Sequence, residues 1–378
     1  MAIDNKDKKV LNVPHLRFPE FSGEWKKHSL GEIGETIIGL TYKPSDVVDN
    51  NGIIVFRSSN IKNGMIDYSD LVRVNKHIKD KIITKENDIL VCARNGSQRL
   101  IGKNAIIKQE DANNTFGAFM MVYRANDNPF ILPLLSTKKY FSQVGENLGA
   151  RINQITTSDF NGFEFYFPEN HAERTKIAEL FRLLDERIAT QNKIIYKLKS
   201  LIRGIAQNMV HRGKPNVRLS DCMICNSSTL QESEVLESGT YPVYGANGIV
   251  GYLDCYATLN EAIYIIKDGS GVGTVFYVAG KCSAAGTLNT LQAKEGYSLQ
   301  YLYYLLTVFN FEPYKTGMAI PHIYFKDYGK AKVFCPSHSE QFKYTKLLST
   351  IDSKLLAEQN ALVNYNLQKQ YLLRQMFI

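Results

Sequence analysis

The chain has 378 residues, a net charge of +8 and a pI near 8.9, with 44% hydrophobic and 22% charged residues. That length exceeds one ordinary core, so two domains with connecting structure are expected. No apolar run reaches the length of a membrane helix, and the opening MAIDNKDKKVLNVPHLRFPE has no apolar signal segment, so the expected location is the cytoplasm with no membrane contact. The basic excess favours a polyanionic partner.

From the N-terminus, short β-branched and aromatic runs bounded by Gly, Asn and Asp read as strands: IIVF (53–56), DILVCA (88–93) and AIIK (105–108). A helical piece is expected over 128–144, and Pro168 closes a first globular region, 1–168. A long helix, 169–213, follows. Asn170 with Glu173 forms a capping-box pattern at its start, and its core positions alternate by four and three: Ile177, Phe181, Leu184, Ile188, Gln191, Ile195, Leu198, Ile202, Ile205 and Met209. The second globular region, 214–335, offers strands AIYIIK (262–267) and TVFYV (274–278) and a helix over 298–309. Its isolated CxxC pair, Cys222 and Cys225, cannot complete a four-ligand zinc site, so DCMIC reads as half-buried strand, the six cysteines are expected to be reduced thiols, and no metal is expected.

The long-helix pattern then returns over 336–378. Ser337 and Glu340 form a second capping box, and the core runs through Tyr344, Leu348, Ile351, Leu355, Glu358, Leu362, Tyr365, Lys369, Leu372 and Met376. Glu358 stands where the first helix has Gln191, 167 residues earlier. Upstream, GARINQITTSDFNGFEFYFP (149–168) aligns with GMAIPHIYFKDYGKAKVFCP (317–336), and ILVCARNGSQRLIG (89–102) with IYIIKDGSGVG (263–273). The predicted fold is therefore mixed α/β (α+β), built twice. Its two long helices, each about 60 Å, pair as an antiparallel coiled coil with Gln191 facing Glu358, Ile188 facing Leu362 and Ile195 facing Leu355, giving a pseudo-twofold internal repeat. Phe181 would face Lys369, whose stem can lie along the ring.

Turns after the strands gather Arg, Lys, Asn, Gln and Ser. The first unit supplies Arg57, Ser59, Asn60 and Lys62, then Arg94, Asn95, Ser97, Gln98, Arg99 and Lys103, then Arg151, Asn153 and Gln154. The second supplies Tyr244, Asn247, Lys267, Ser270, Lys315 and His322, with Lys281 nearby. Arg pairs bidentately with guanine and Asn or Gln with adenine, while Lys and Ser grip phosphate, so these are candidate DNA contacts. Any one such cluster alone reads as a solvated loop; their recurrence in both units favours a binding face. GSGVG lacks the GxxxxGK[ST] pattern and runs into a strand, which argues against a nucleotide loop. No HExxH, GxSxG, Walker or paired-carboxylate nuclease pattern occurs, so no catalytic residue is expected.

Over nearly its whole length the chain resembles the specificity subunit of type I restriction-modification systems. The resemblance rests on LRFPEFSGEWKKHSLGEIGE (16–35), FRSSNIKNG (56–64), NDILVCARNGS (87–97), YPVYGANGIVGY (241–252), and FPENHAERTKIAELFRLLDERIATQ (167–191) with its echo CPSHSEQFKYTKLLSTIDSKL (335–355). It implies two target-recognition domains (1–168 and 214–335), each reading one half of a split double-stranded DNA target, with the spacer helices (169–213 and 336–378) as the ruler between halves. It also implies a chain without its own catalytic centre or cofactor. Two methyltransferase subunits would bring S-adenosylmethionine, and two motor-nuclease subunits would bring ATP and Mg. The competing expectation is a non-DNA adaptor with two protein-binding domains on the coiled coil.

Overall fold

The computed structural model describes residues 11–148 and 153–378. These fall into two compact units: the chain up to Thr190 together with Leu362–Ile378, and Gln191–Ala361. The boundaries differ from a split at the ends of the long helices, because each unit takes one half of both.

In the first unit, strands β1 (Glu35–Ile38), β2 (Ile53–Phe56), β3 (Ile89–Cys92), β4 (Asn104–Ile106), β5 (Thr115–Phe116) and β6 (Met120–Arg124) carry the frame. One antiparallel sheet has the order β1-β6-β3-β4, and beside it β5 pairs in parallel with β2. The run Ile89–Cys92 is continuously apolar because both faces of the sheet are covered. Side chains alternate across a strand, so Ile89 and Val91 enter one core with Trp25, Tyr123 and Phe160, while Leu90 and Cys92 enter another with Phe56 and Val122. The expected helix over 128–144 is two, Asn128–Leu134 and Lys138–Leu148.

Helix α1, His171–His211, gives its first half to this unit. The Asn170 side chain caps it by accepting from the Ala172 amide at 2.9 Å. Glu173, however, does not serve as the capping-box partner. It is buried and takes Arg17 on both oxygens (2.7 and 2.8 Å) and the Trp25 indole N–H at 3.3 Å. The segment before the first strand is thereby tied to the helix start.

The second unit repeats the frame with β7 (Met223–Ser227), β8 (Tyr241–Gly245), β9 (Glu261–Ile266), β10 (Val275–Ala279), β11 (Ser283–Ala284) and β12 (Leu288–Ala293). Its four-stranded sheet has the equivalent order β7-β12-β9-β10, and β11 pairs in parallel with β8. Again the strand is sandwiched: Ile263 and Ile265 face one core with Leu302, Leu305 and Leu348, and Ala262, Tyr264 and Ile266 face the other. Cys222 is not in a strand but ends the helical turn Leu219–Cys222, while Cys225 lies in β7. Helix α2, Leu299–Val308, covers the sheet, and α3, His338–Gln375, contributes its first half here.

Within each unit the halves of α1 and α3 run antiparallel as a coiled coil. In the first, the Phe181 ring packs tilted against Phe377 with centroids 5.6 Å apart, Arg187 donates to the Tyr365 hydroxyl at 3.0 Å, and Lys369 binds the Asp185 carboxylate at 2.5 Å. In the second, the buried Gln191 meets Glu358. The predicted core positions Ile177, Phe181, Ile195 and Leu348 are buried; Leu184, Ile188, Leu198, Ile205, Ile351, Leu355, Glu358, Leu362 and Leu372 are half-buried, as befits a two-helix seam with one open flank.

Candidate nucleic-acid interface

At the end of β3 the chain makes a polar loop, and three segments meet there. The Ile155 amide donates to the Ala93 carbonyl at 2.9 Å, and Arg94 and Gln154 form an isolated antiparallel bridge. Asn153, in the left-handed region at φ 52°, which Asn tolerates, donates through its side chain to the Gly96 carbonyl at 3.0 Å. Asn95 accepts from the Ser97 amide (3.0 Å) and donates to the Ser58 hydroxyl (2.9 Å), so the 57–60 turn joins the cluster. The loop closes at Gly102, φ 80°, whose amide donates to the Cys92 carbonyl at 2.9 Å. A Cβ there would press on the Tyr140 hydroxyl at 3.0 Å.

The second unit builds the same junction after β9. The Ile323 amide donates to the Lys267 carbonyl at 2.9 Å, Asp268 and His322 form the bridge, and Gly273, φ 89°, donates to the Ile266 carbonyl at 2.9 Å. A Cβ there would meet Phe311 at 3.1 Å. The frame is conserved between units, but the side chains it presents are not: Arg94 and Gln154 in one unit stand where Asp268 and His322 stand in the other. His322 Nδ1 lies 2.5 Å from the Asp268 carboxylate, and its ring stacks near Tyr324.

The predicted contacts divide on exposure. Ser59, Arg94, Gln98 and Arg99 are exposed around the first junction and Ser270 around the second, while Asn247 is exposed in the hairpin turn after β8. Arg57 is half-buried with an ion pair to Asp70 at 2.8 Å, and Lys103 is half-buried. Lys62 is exposed but held by Asp67 (2.9 Å) and Ser69 (2.7 Å). The Ser69 hydroxyl, then Lys62, hold the Asp67 carboxyl down at about 2.

Asn60 is not available to a base. It is fully buried, and its amide donates to the Asp67 and Asp70 carbonyls while its oxygen takes the Arg57 amide, so it shapes the turn. Tyr244 is half-buried against the ring of Tyr264, a core contact. Lys267 reaches the Ser228 carbonyl at 3.3 Å, and Lys315 pairs with Glu312 at 2.5 Å. Arg151 lies outside the described residues.

Two residues escaped the sequence reading. Phe119 is 59% exposed beside the first junction; its carbonyl accepts from the Ala93 and Arg94 amides, and the Arg94 guanidinium lies 5.1 Å from its ring. Buried among apolar letters in FGAFMMV, it reads as core. Asp268, at the position equivalent to Arg94, carries a carboxylate that can accept from a cytosine amine.

Residues 22–200 and 215–365 match the family model of the type I restriction modification DNA specificity domain. The EcoKI specificity subunit of Escherichia coli (strain K12) is 25% identical over 205 residues, 52% of this chain and 44% of that protein. The StySPI specificity subunit of Salmonella potsdam is 25% identical over 191 residues, 48% of this chain and 41% of that one. The matched stretches thus span less than half of those two relatives. The crystal structure of a type I restriction-modification S subunit from M. genitalium shares the fold at a TM-score of 0.66, with 19% identity, over 97% of this chain and 99% of that one.

Proposed function

We infer the function of this chain from its family, for it belongs to the type I restriction-modification DNA specificity family. The proposed role is a recognition and scaffold subunit: each unit reads one half of a bipartite duplex target, and the α1/α3 coiled coil sets the distance between halves. The observation that carries this reading is the pair of equivalent junctions, Arg94/Gln154 and Asp268/His322, on one backbone frame. One frame with two sets of side chains suits two readers of different sequence. A protein adaptor would have no such reason to place base-pairing side chain types at both sites.

Methylation and cleavage are assigned to partner subunits, two methyltransferase and two motor-nuclease chains in the cytoplasm, with S-adenosylmethionine, ATP and Mg bound there. This chain would contribute no turnover of its own. The deciding experiment is binding of the full chain to its methylated genomic motif over a salt series. A steep negative salt slope with motif preference supports the reading; indifference to salt and to DNA favours the protein adaptor.

A further inference from the structure

Between Glu186 and Asp221 the sequence has no carboxylate, and the half of α1 in the second unit carries Lys193, Lys197, Lys199 and Arg203, all exposed. None of the four makes an ion pair among the described residues, and the pairs 193/197 and 199/203 set like charges four apart, where they repel. Such a strip is held more favourably by a polyanion than by water.

Lys199 and Arg203 border a cleft of about 370 Å³ closed by Tyr303, Tyr304 and Thr307 of α2 and by Asp352 and Leu355 of α3. Thr307 also lines a second cleft of about 470 Å³, bordered by residues 272–275, by Phe309–Glu312 and by Lys315. The two clefts share Thr307 as a lining residue, and the second is also lined by Gly273 and Thr274 of the turn that follows β9, the strand carrying the Asp268/His322 junction. Of the two carboxylates lining these clefts, Glu312 is paired with Lys315, while Asp352 accepts from the neutral Tyr304 hydroxyl and, when ionised, opposes a phosphate there. Thr274, Thr307 and Asn310 are among the residues lining the second cleft.

We propose that the cleft bordered by Lys199 and Arg203 binds one sugar-phosphate strand of the duplex read by the second unit, with these two cations taking phosphates. The inference rests on the DNA-reading role above and adds to it a sequence-independent grip. Phosphate contacts position a protein on the duplex and carry the salt dependence of binding, while base contacts carry the sequence preference.

The test uses the full chain and two charge-matched double variants of the same helix. Lys199→Gln/Arg203→Gln removes the groove cations, and Lys193→Gln/Lys197→Gln removes two that do not line it. Binding to duplexes carrying the cognate motif and a scrambled one is measured by fluorescence anisotropy from 50 to 300 mM salt. The groove variant is expected to bind both duplexes about tenfold more weakly, with a slope of log K against log salt shallower by about 2. The other variant should shift the slope by less than half as much. Equal effects of the two variants would reduce the groove to diffuse charge, and an unchanged slope in the groove variant would overturn the proposal while the wild-type slope keeps the DNA reading. Retained DNA binding with lost assembly onto methyltransferase subunits would assign the groove to an acidic protein surface instead. No DNA binding by the wild-type chain would remove the reading on which the groove rests, and the groove with it.

Discussion

Gln191 donates through its side-chain amide to the backbone oxygen of Glu358 at 2.9 Å and to the Glu358 carboxylate as well. Gln191 is 2% exposed, and Lys354 binds the same carboxylate at 2.5 Å. The polar interruption of both heptad patterns is thus one layer that satisfies itself, and a layer of this kind fixes register. Gln191→Ala strips a donor from a sheltered carboxylate and should cost about 1–3 kcal/mol, read as a lower urea midpoint. Gln191→Leu with Glu358→Leu should restore or exceed the wild-type midpoint. A single variant with an unaltered midpoint would mean that the layer holds nothing.

Arg94 stands out over the Phe119 ring at the first junction and has no equivalent cation in the second, where Asp268 takes its place. If each unit reads its own half, Arg94→Ala should weaken binding by about 1–3 kcal/mol and relax preference at one half-site only. Competition with duplexes mutated in one half or the other measures this. Relaxed preference at both halves would contradict two independent readers.

Much of this architecture was legible because periodicity survives translation into three dimensions. The four-three rhythm of both helices and the matching of Ile155 with Ile323 appear in the structure as seam positions and as equivalent amide hydrogen bonds. Exposure of single polar residues was not legible. Asn60 and Ser59 are adjacent, alike in chemistry and in turn propensity, yet one is sealed under the turn and the other faces water. The difference depends on where the Asp67 and Asp70 carbonyls come to rest, which no local pattern encodes. Lys369 likewise found Asp185 rather than Phe181, because a half-buried ammonium gains more from a carboxylate than from the edge of a seam.

Asp352 is half-buried against α2, and burial raises its carboxyl above the ordinary range while the Tyr304 hydroxyl pulls it partly back. A folded value above the unfolded one means that the ionised carboxylate opposes folding. Its penalty is absent while the group is protonated in both states and appears as pH rises through the unfolded value toward the folded one. Asp352→Asn keeps the acceptor for Tyr304 without the charge. The variant should melt at a higher temperature than wild type at pH 7, with the gap closing as pH falls and gone below about pH 4. Because Asp352 lines the proposed groove, the same variant should also bind DNA somewhat more tightly at pH 7. A constant difference across pH would show that the effect is packing and not titration.

The proposed spacing role of the coiled coil makes the sharpest demand. Four residues inserted into α1 after Thr190, matched by four in α3 after Ala361, add about one turn and about 6 Å to each helix while keeping the Gln191/Glu358 layer in one piece. At 3.4 Å per base pair the gap between the two halves of the methylated motif should grow by about two base pairs, with both half-sequences unchanged. Insertion in one helix alone shifts every layer beyond it out of register and should abolish methylation instead of moving the gap. Genome-wide mapping of modified adenines in cells carrying each form distinguishes the outcomes. An unchanged gap in the double insertion would mean that the distance is set elsewhere, and the helices would then serve assembly alone.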